Sequence, residues 1–223
     1  MSHQVEGKII MSDIVLFHGS SVIVDKPDLS HGRTKIDFGR GFYTTQDREM
    51  ACRWASGKDN AIISVFEFKD YGDLNIKHFQ LDELWLHYVA INRGLMYGKI
   101  RDKTIDIAIG PTADDKLFAT MNNYFSNAIS EEQAIRYLNA ANYSEQVVFK
   151  TMKALDCLEF TETFTLSEDE KQKYIEETTR IRNETTARLS QMQRQDNAVD
   201  FSNLTIDFDS DEELDRIGDE RDE

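Results

Sequence analysis

The chain has 223 residues, of which 40% are hydrophobic, including 13 Phe and 8 Tyr. This length and apolar content suit one globular domain plus an appendage, which excludes wholesale disorder and leaves little room for two full domains. The net charge of -15 is unevenly placed, because residues 151–223 hold 9 Lys and Arg against 21 Asp and Glu, whereas residues 1–150 hold 17 against 20. The near-neutral first part neither requires nor excludes a nucleic-acid substrate.

The sequence has no apolar run of 18 residues, and its start lacks a basic segment followed by an apolar one. We therefore expect a soluble, cytoplasmic protein with no membrane partner. Residues 1–10 precede a second methionine, Met11, and are left out of the fold prediction. Cys52 and Cys157 lie far apart and in no metal-ligand spacing, so we expect two buried thiols and no metal site.

The first predicted elements surround two glycine-rich segments. Residues 13–17 form an apolar run that predicts a buried strand ending in a His-Gly-Ser turn. The two glycines within residues 38–45 predict a bend followed by another short strand. Asp47 is a suitable N-cap for a helix over residues 48–56, and the next residue, a glycine, is suited to end it.

The later elements alternate between helices and strands. Further strands are predicted over residues 62–68, 105–109 and 143–150, with a last element over 155–164. Further helices are predicted over residues 81–97, after Asp114 and Asp115, and from Ser130 through Leu138, where Ser130 and Gln133 form a capping-box pattern. We interpret Asp114 and Asp115 as helix-capping residues rather than metal ligands.

Short strands interleaved with helices at irregular spacing predict an α+β domain over residues 11–165. Residues 166–223 change character: a polar helix over 167–195 precedes an acidic segment with a few apolar residues. Such a segment is often flexible and can dock onto a partner. We expect the core to fold without residues 167–223.

Three segments stand out when they are considered together. They are His18-Gly19-Ser20, then Gly39 to Thr45 with Trp54, and then Glu145 to Phe149. Their order and content resemble the His, Tyr and Glu motifs of the ADP-ribosyltransferase superfamily, including its poly(ADP-ribose) polymerase branch. In that branch an aromatic residue follows the motif tyrosine by eleven positions, as Trp54 follows Tyr43 here.

A closer resemblance, over about residues 13–165, is to an uncharacterised bacterial family of small transferase-like proteins. Its motifs are similar to Phe17 to Ser20, Lys26 to Asp28, Asp37 to Thr44, Gly110 to Asp115, and a late strand that contains Gln146. The resemblance implies an ADP-ribosyltransferase-like split β-sheet core with flanking helices, and it does not cover the tail.

The resemblance also implies an NAD site. Tyr43 and Trp54 would sandwich the nicotinamide ring, since stacked aromatic contacts stabilise such a ring beyond area burial. His18 would bind a ribose hydroxyl, and Ser20 or the backbone of Gly19 would hold the carboxamide. Gly41 and Thr44 would belong to the same binding segment, and Arg40 would either meet the pyrophosphate or lie on the surface as a solvated arginine.

The catalytic residues implied are His18, Tyr43 and one residue of the pair Glu145 and Gln146. Cleavage of the nicotinamide–ribose bond develops positive charge on the ribose, which a carboxylate would stabilise, so Glu145 is the first choice. Strand alternation puts Glu145 and Gln146 on opposite faces, and only one of them can enter the pocket. If Gln146 enters, it would orient a hydroxyl but stabilise the cation less.

The implied function is NAD-dependent mono-ADP-ribosylation of a cellular macromolecule, with a protein acceptor favoured over a nucleic acid. The protein would be a toxin or effector that acts in its own cytoplasm or after delivery to another cell. The tail would bind an inhibitor, an antitoxin or another partner. One alternative is a nucleotide-binding module of the same fold that has lost turnover. Another is an RNA 2′-phosphotransferase, which would need a more basic groove. Without the resemblance, His18, Tyr43 and Trp54 would be read as ordinary core residues.

Overall fold

The computed structural model describes residues 12–31, 33–69, 73–98, 104–113, 115–139 and 144–196. Within these ranges the chain is a mixed α+β protein with two small sheets and six helices. The strands are β1 (Ser12–Ser20), β2 (Phe42–Thr44), β3 (Ile62–Lys69), β4 (Ile76–His78), β5 (Ile107–Pro111), β6 (Glu145–Phe149) and β7 (Leu158–Thr165). The helices are α1 (Arg48–Ser56), α2 (Glu83–Arg93), α3 (Asp115–Phe125), α4 (Glu131–Leu138), α5 (Met152–Leu155) and α6 (Glu168–Gln195).

The two sheets meet through their first strands. One sheet has the order β1-β3-β7 and is antiparallel throughout, and the other has the order β2-β6-β5-β4, in which only β4 and β5 run parallel. Phe17 in β1 and Thr45, just after β2, exchange two backbone hydrogen bonds of 2.8 and 3.0 Å. This bridge brings the carboxyl end of β1 beside β2, so the His-Gly-Ser turn and the Tyr43 segment become neighbours.

Strand alternation sorts the core into layers. Ile107, Ile109 and Val147 face the first sheet and pack with Leu16 and Phe66. The intervening residues of β5 and β6 face the other way, where they pack with the buried side chains of α2. Helix α1 covers the outer face of the first sheet. The order of layers is therefore helix, sheet, sheet, helix.

Local sequence signals place several elements correctly. The Asp47 carboxylate accepts a hydrogen bond from the backbone N–H of Met50, and α1 ends at Gly57 as predicted. Ser130 and Gln133 form the predicted capping box of α4. Both cysteines are buried and neither forms a disulfide, as expected from their spacing.

Other elements differ from the prediction. Helix α2 covers 11 residues, fewer than the predicted 81–97, because Asp82 caps its start and Gly94 adopts a left-handed φ of 77° at its end. The short strand β4 and the single-turn helix α5 were not predicted. Asp114 lies outside the described residues, as do residues 1–11 and 197–223.

Helix α6 is more closely attached than a solvated appendage would be. Tyr174, 5% exposed, packs with Ala51 and Cys52 of α1. At the other end of α6, Leu189 and Met192 pack against a small cluster beside α4. No helix among the described residues, including this one of 28 residues, is long and apolar enough to span a membrane.

Candidate functional site

A cavity of about 750 Å³ opens where the end of β1 meets β2 and the start of β6. His18, Tyr43, Trp54 and Gln146 all line it. Its volume falls within the range of roughly 300–1,000 Å³ that small-molecule and cofactor sites usually have. Residues that are distant in sequence therefore converge on a single space of the size usual for a small-molecule site.

The imidazole of His18 has a defined tautomer. Its Nδ1 atom lies 2.7 Å from the backbone oxygen of Tyr43, and its ring packs on Phe42 with centroids 4.5 Å apart. A carbonyl oxygen can only accept, so Nδ1 carries the proton and the neutral ring keeps Nε2 as an acceptor. Burial lowers the pKa of His18, and the nearby Lys58 lowers it further. The cavity therefore contains a neutral imidazole.

Gly19 lets helix α1 approach β1. A Cβ atom at this position would lie 2.2 Å from the backbone oxygen of Ala51, so any other residue would push the helix away. Trp54 belongs to the same helix and lines the cavity beside His18. Gly41 is similarly confined, because its Cβ would lie 2.6 Å from Val148 and 2.8 Å from the oxygen of Phe149. Gly19 thus lets α1, which carries Trp54, lie close to β1, and Gly41 lets the chain just before Tyr43 lie close to β6.

Tyr43 is tied to the turn that precedes it. Its hydroxyl donates to the backbone oxygen of Gly39 at 2.7 Å and accepts from the N–H of Phe38 at 3.0 Å. Burial raises the pKa of the Tyr43 phenol far above its usual value, so the hydroxyl remains protonated. With the hydroxyl engaged in this way, Tyr43 can offer its aromatic ring to a ligand.

A buried polar cluster centred on Asp37 lies at one side of the cavity. Oδ1 of Asp37 accepts from Nε of Arg93 at 2.8 Å, and Nη2 of Arg93 lies 2.5 Å from the same oxygen as an ion pair. Oδ2 accepts from the N–H of Ala113 and from Nε2 of Gln146, both at 2.8 Å. Asp37 and Gln146 are 6% and 3% exposed. Three N–H groups and the ion pair with Arg93 therefore hold one carboxylate, which balances the charge of Arg93.

The structure shows which residue of the third motif faces the cavity. Gln146 lines it, whereas Glu145, the first choice from the sequence, does not. The Glu145 side chain is 56% exposed, and its Oε1 lies 2.5 Å from Nε2 of His78 in β4, the edge strand of the same sheet. Because the two residues are adjacent in β6, the pleat directs their side chains to opposite faces.

The remaining motif residues are divided between the cavity and its surroundings. Ser20 lines the cavity, although its hydroxyl donates to the backbone oxygen of Val22 at 2.5 Å. Thr44 is fully buried outside the lining, and its hydroxyl donates to the oxygen of Val147, which fastens β2 to β6. Arg40 is exposed and does not line the cavity either.

Several cavity residues were not predicted as site residues. Asp37 and Arg93 come together across 56 positions of sequence, and Lys58 lies just beyond the end of α1. Asp37 did belong to a quoted motif, so a buried acid within that motif was the one signal that could have found it. Arg93 had no such signal. No group of three or more His, Cys, Asp or Glu side chains able to hold a metal ion occurs in the described part of the chain.

Comparison with known proteins gives one match. A family model described as "Protein of unknown function (DUF3990)" matches residues 14–160, which include every cavity residue named above. Searches of curated proteins and of solved structures found no match. The matched segment is more than half of the chain, and the protein therefore belongs to the DUF3990 family.

Proposed function

We propose that this chain is an NAD-dependent mono-ADP-ribosyltransferase whose acceptor is a cellular macromolecule. The observation that carries the proposal is the convergence of His18, Tyr43, Trp54 and Gln146 on one cavity of about 750 Å³. These four positions belong to the His, Tyr, following aromatic and third motifs in which the sequence resembles ADP-ribosyltransferases. A cavity lined by aromatic side chains with a few convergent polar groups is the usual form of a small-molecule site.

The aromatic walls suit the nicotinamide ring. Tyr43 and Trp54 both line the cavity, and each ring that stacked on the nicotinamide would contribute about 0.5–1.5 kcal/mol beyond area burial. The neutral His18 would accept a hydrogen bond at Nε2 from a hydroxyl of the adjoining ribose. Gly19 and Ser20, at the end of the same strand, would hold the carboxamide through backbone groups.

The cationic side chains of the lining suit the pyrophosphate. Lys26, Arg33 and Lys58 line the cavity, so they replace the exposed Arg40 as candidates for this contact. Asp25 and Asp28 belong to the same lining, so these cations would hold the pyrophosphate beside two acids.

The reaction breaks the bond between C1′ of the ribose and the nicotinamide nitrogen. The electron pair of that bond goes to the nitrogen, and nicotinamide leaves as a neutral molecule. C1′ becomes oxocarbenium-like, a nucleophile of the acceptor bonds to it, and the nucleophile loses its proton to solvent or a nearby base. The protein would contribute by fixing the leaving group and orienting the ribose in a preorganised site.

One observation favours a second candidate, a nucleotide-binding module without turnover. The third-motif side chain in the cavity is the amide of Gln146, which carries no charge to stabilise the developing cation. In this alternative the cavity would bind NAD or a related nucleotide, and a protein partner would recognise the nucleotide-bound form. Binding without release of nicotinamide would support it.

The test uses the full chain, cell lysate and NAD labelled in its adenylate part, with separate measurement of released nicotinamide. We expect label on a macromolecule with wild type and a loss of at least tenfold with Trp54→Ala. Tyr97→Ala is the matched control, because this aromatic side chain is 97% exposed and lies outside the cavity lining. Absence of both NAD binding by calorimetry and nicotinamide release in wild type would contradict the proposal.

A further inference from the structure

The side-chain amide of Gln146 is held in one orientation. Its Nε2 atom lies 2.8 Å from Oδ2 of Asp37 and 3.1 Å from the backbone oxygen of Pro111. Both partners can only accept hydrogen bonds here, because Asp37 receives donors on every side and Pro111 contributes a carbonyl. The nitrogen end of the amide must therefore face them, since the oxygen end would meet two acceptors.

This arrangement leaves Oε1 as the part of the amide that can serve a ligand. Both hydrogens of Nε2 are used by Asp37 and Pro111, so Gln146 cannot donate into the cavity without breaking a buried hydrogen bond. The carbonyl Oε1 remains as an acceptor on a residue that lines the cavity. Gln146 thus offers a hydrogen-bond acceptor to the cavity, as a carboxylate oxygen would, but without the negative charge.

We propose that Asp37 is a positioning residue that turns the Gln146 amide so that its oxygen accepts a hydrogen bond from a ribose hydroxyl of the substrate. This inference rests on the proposed function. It also gives a reason for glutamine at position 146, because a glutamate there would bring a second carboxylate oxygen to about 2.8 Å from Asp37. In this protein the carboxylate of Asp37 holds the amide of Gln146 and does not itself take the position of the third-motif residue.

Arg93 completes the arrangement. It holds Oδ1 of Asp37 through two nitrogens and donates to the backbone oxygen of Ala113 at 2.7 Å. The Asp37 carboxylate is therefore fixed from the side opposite Gln146. A carboxylate that could rotate would not impose one amide orientation on its neighbour.

The experiment compares Gln146→Glu, Asp37→Asn and the double variant in a double-mutant cycle. We expect Gln146→Glu alone to lower kcat/KM for NAD by at least tenfold, since two carboxylates would face each other. In the double variant the amide introduced by Asp37→Asn can donate to the new carboxylate, although the same nitrogen replaces the oxygen that accepts from the N–H of Ala113. We therefore expect partial rescue, of at least threefold relative to Gln146→Glu alone. Gln80→Glu is the matched control, because it makes the same change on an exposed side chain.

Two further readouts do not depend on turnover. The side-chain NH₂ of Gln146 should show slow hydrogen exchange by NMR in wild type and fast exchange in Asp37→Asn. The melting temperature should fall with Gln146→Glu and recover in part in the double variant. An unchanged NH₂ signal in Asp37→Asn, or a Gln146→Glu variant more active than wild type, would overturn the inference. If wild type neither binds nor cleaves NAD, the proposed function fails, whereas these two readouts still decide the orientation of the amide.

Discussion

The imidazole of His18 donates to the backbone oxygen of Tyr43 over 2.7 Å, so the residue of the first motif is oriented by the main chain of the second. The contact spans 25 positions and depends on the bridge between Phe17 and Thr45 that joins the two sheets. Because a backbone atom fixes the tautomer, substitution of the Tyr43 side chain need not alter it.

This relationship predicts a pH-dependent stability. Burial lowers the pKa of His18 below its ordinary value of 6.5, so the unfolded chain takes up a proton more readily than the folded one. The contribution of His18 to the free energy of unfolding is therefore fully present above pH 6.5 and is lost as the pH falls below that value toward the folded pKa. Urea unfolding of wild type and His18→Gln between about pH 5 and 8 measures this difference.

An equal slope in wild type and His18→Gln would show that the His18 side chain is not desolvated in the folded protein.

The hydroxyl and the ring of Tyr43 should have separable roles. Tyr43→Phe removes the hydrogen bonds to Phe38 and Gly39 and leaves a buried N–H without its partner, which should cost about 1–3 kcal/mol of stability. The ring remains, so NAD affinity should change by less than about fivefold. Tyr43→Ala should lose NAD binding. Calorimetry and thermal melting of both variants separate these effects.

Tyr97→Phe makes the same chemical change on a 97% exposed side chain and should leave both stability and binding unchanged. NAD affinity that is the same in wild type and Tyr43→Ala would remove this residue from the binding site.

The elements that the sequence predicted depend on short-range signals. Asp47 before α1 and the pair Ser130 and Gln133 at α4 cap their helices through contacts three residues apart, so a local pattern is sufficient to find them. Strand β4 has only three residues and pairs in parallel with β5, which gives no local periodicity to read. Its existence depends on a partner strand far along the chain.

The cavity was predictable only in part for the same reason. Alternation along β6 required Glu145 and Gln146 to lie on opposite faces, but it could not say which face was inside. That choice depends on Asp37 and Pro111, which supply acceptors for an amide and would repel a carboxylate. Long-range contacts of this kind produce no characteristic spacing of residues in the sequence.

Lys150 should titrate at an unusually low pH. Its ammonium donates to the backbone oxygen of Phe38 and, at 3.4 Å, to that of Arg40, and burial lowers its pKa to about 8. The unfolded chain, with an ordinary lysine pKa of 10.5, holds more protons between pH 8 and 10.5, so the contribution of this residue to stability rises with pH across that window. NMR titration of the lysine side chains measures the midpoint directly.

Lys150→Arg identifies the Lys150 resonance, and Lys150→Met tests the linkage. The difference in the free energy of unfolding between wild type and Lys150→Met should change between about pH 8 and 10 and be constant below about pH 7. A Lys150 midpoint near the ordinary lysine value would mean that water reaches the ammonium in the folded protein.

Removal of helix α6 should destabilise the domain, contrary to the expectation from the sequence that the core folds without residues 167–223, because α6 packs on α1. Tyr174, which is buried against Ala51 and Cys52, would be lost together with an ion pair between Glu177 and Arg53 of α1. Loss of a core aromatic side chain alone usually costs about 3–5 kcal/mol, and the exposed face of α1 would add to this. Since α1 also carries Trp54, truncation after residue 166 should lower both the melting temperature and NAD affinity.

Truncation after residue 196 is the informative comparison, because it keeps Asp196, whose carboxylate accepts from the hydroxyl of Tyr137 at 2.8 Å and pairs with Arg136. This shorter deletion removes none of the contacts described for α6, so its melting temperature should equal that of wild type.

Equal melting temperatures for both truncations would mean that α6 rests on the domain without stabilising it. In that case the acidic segment and the helix would act together as a detachable arm, and a partner that binds them would leave the cavity unaffected. A fall confined to the longer truncation would instead couple anything that displaces α6 to the position of Trp54.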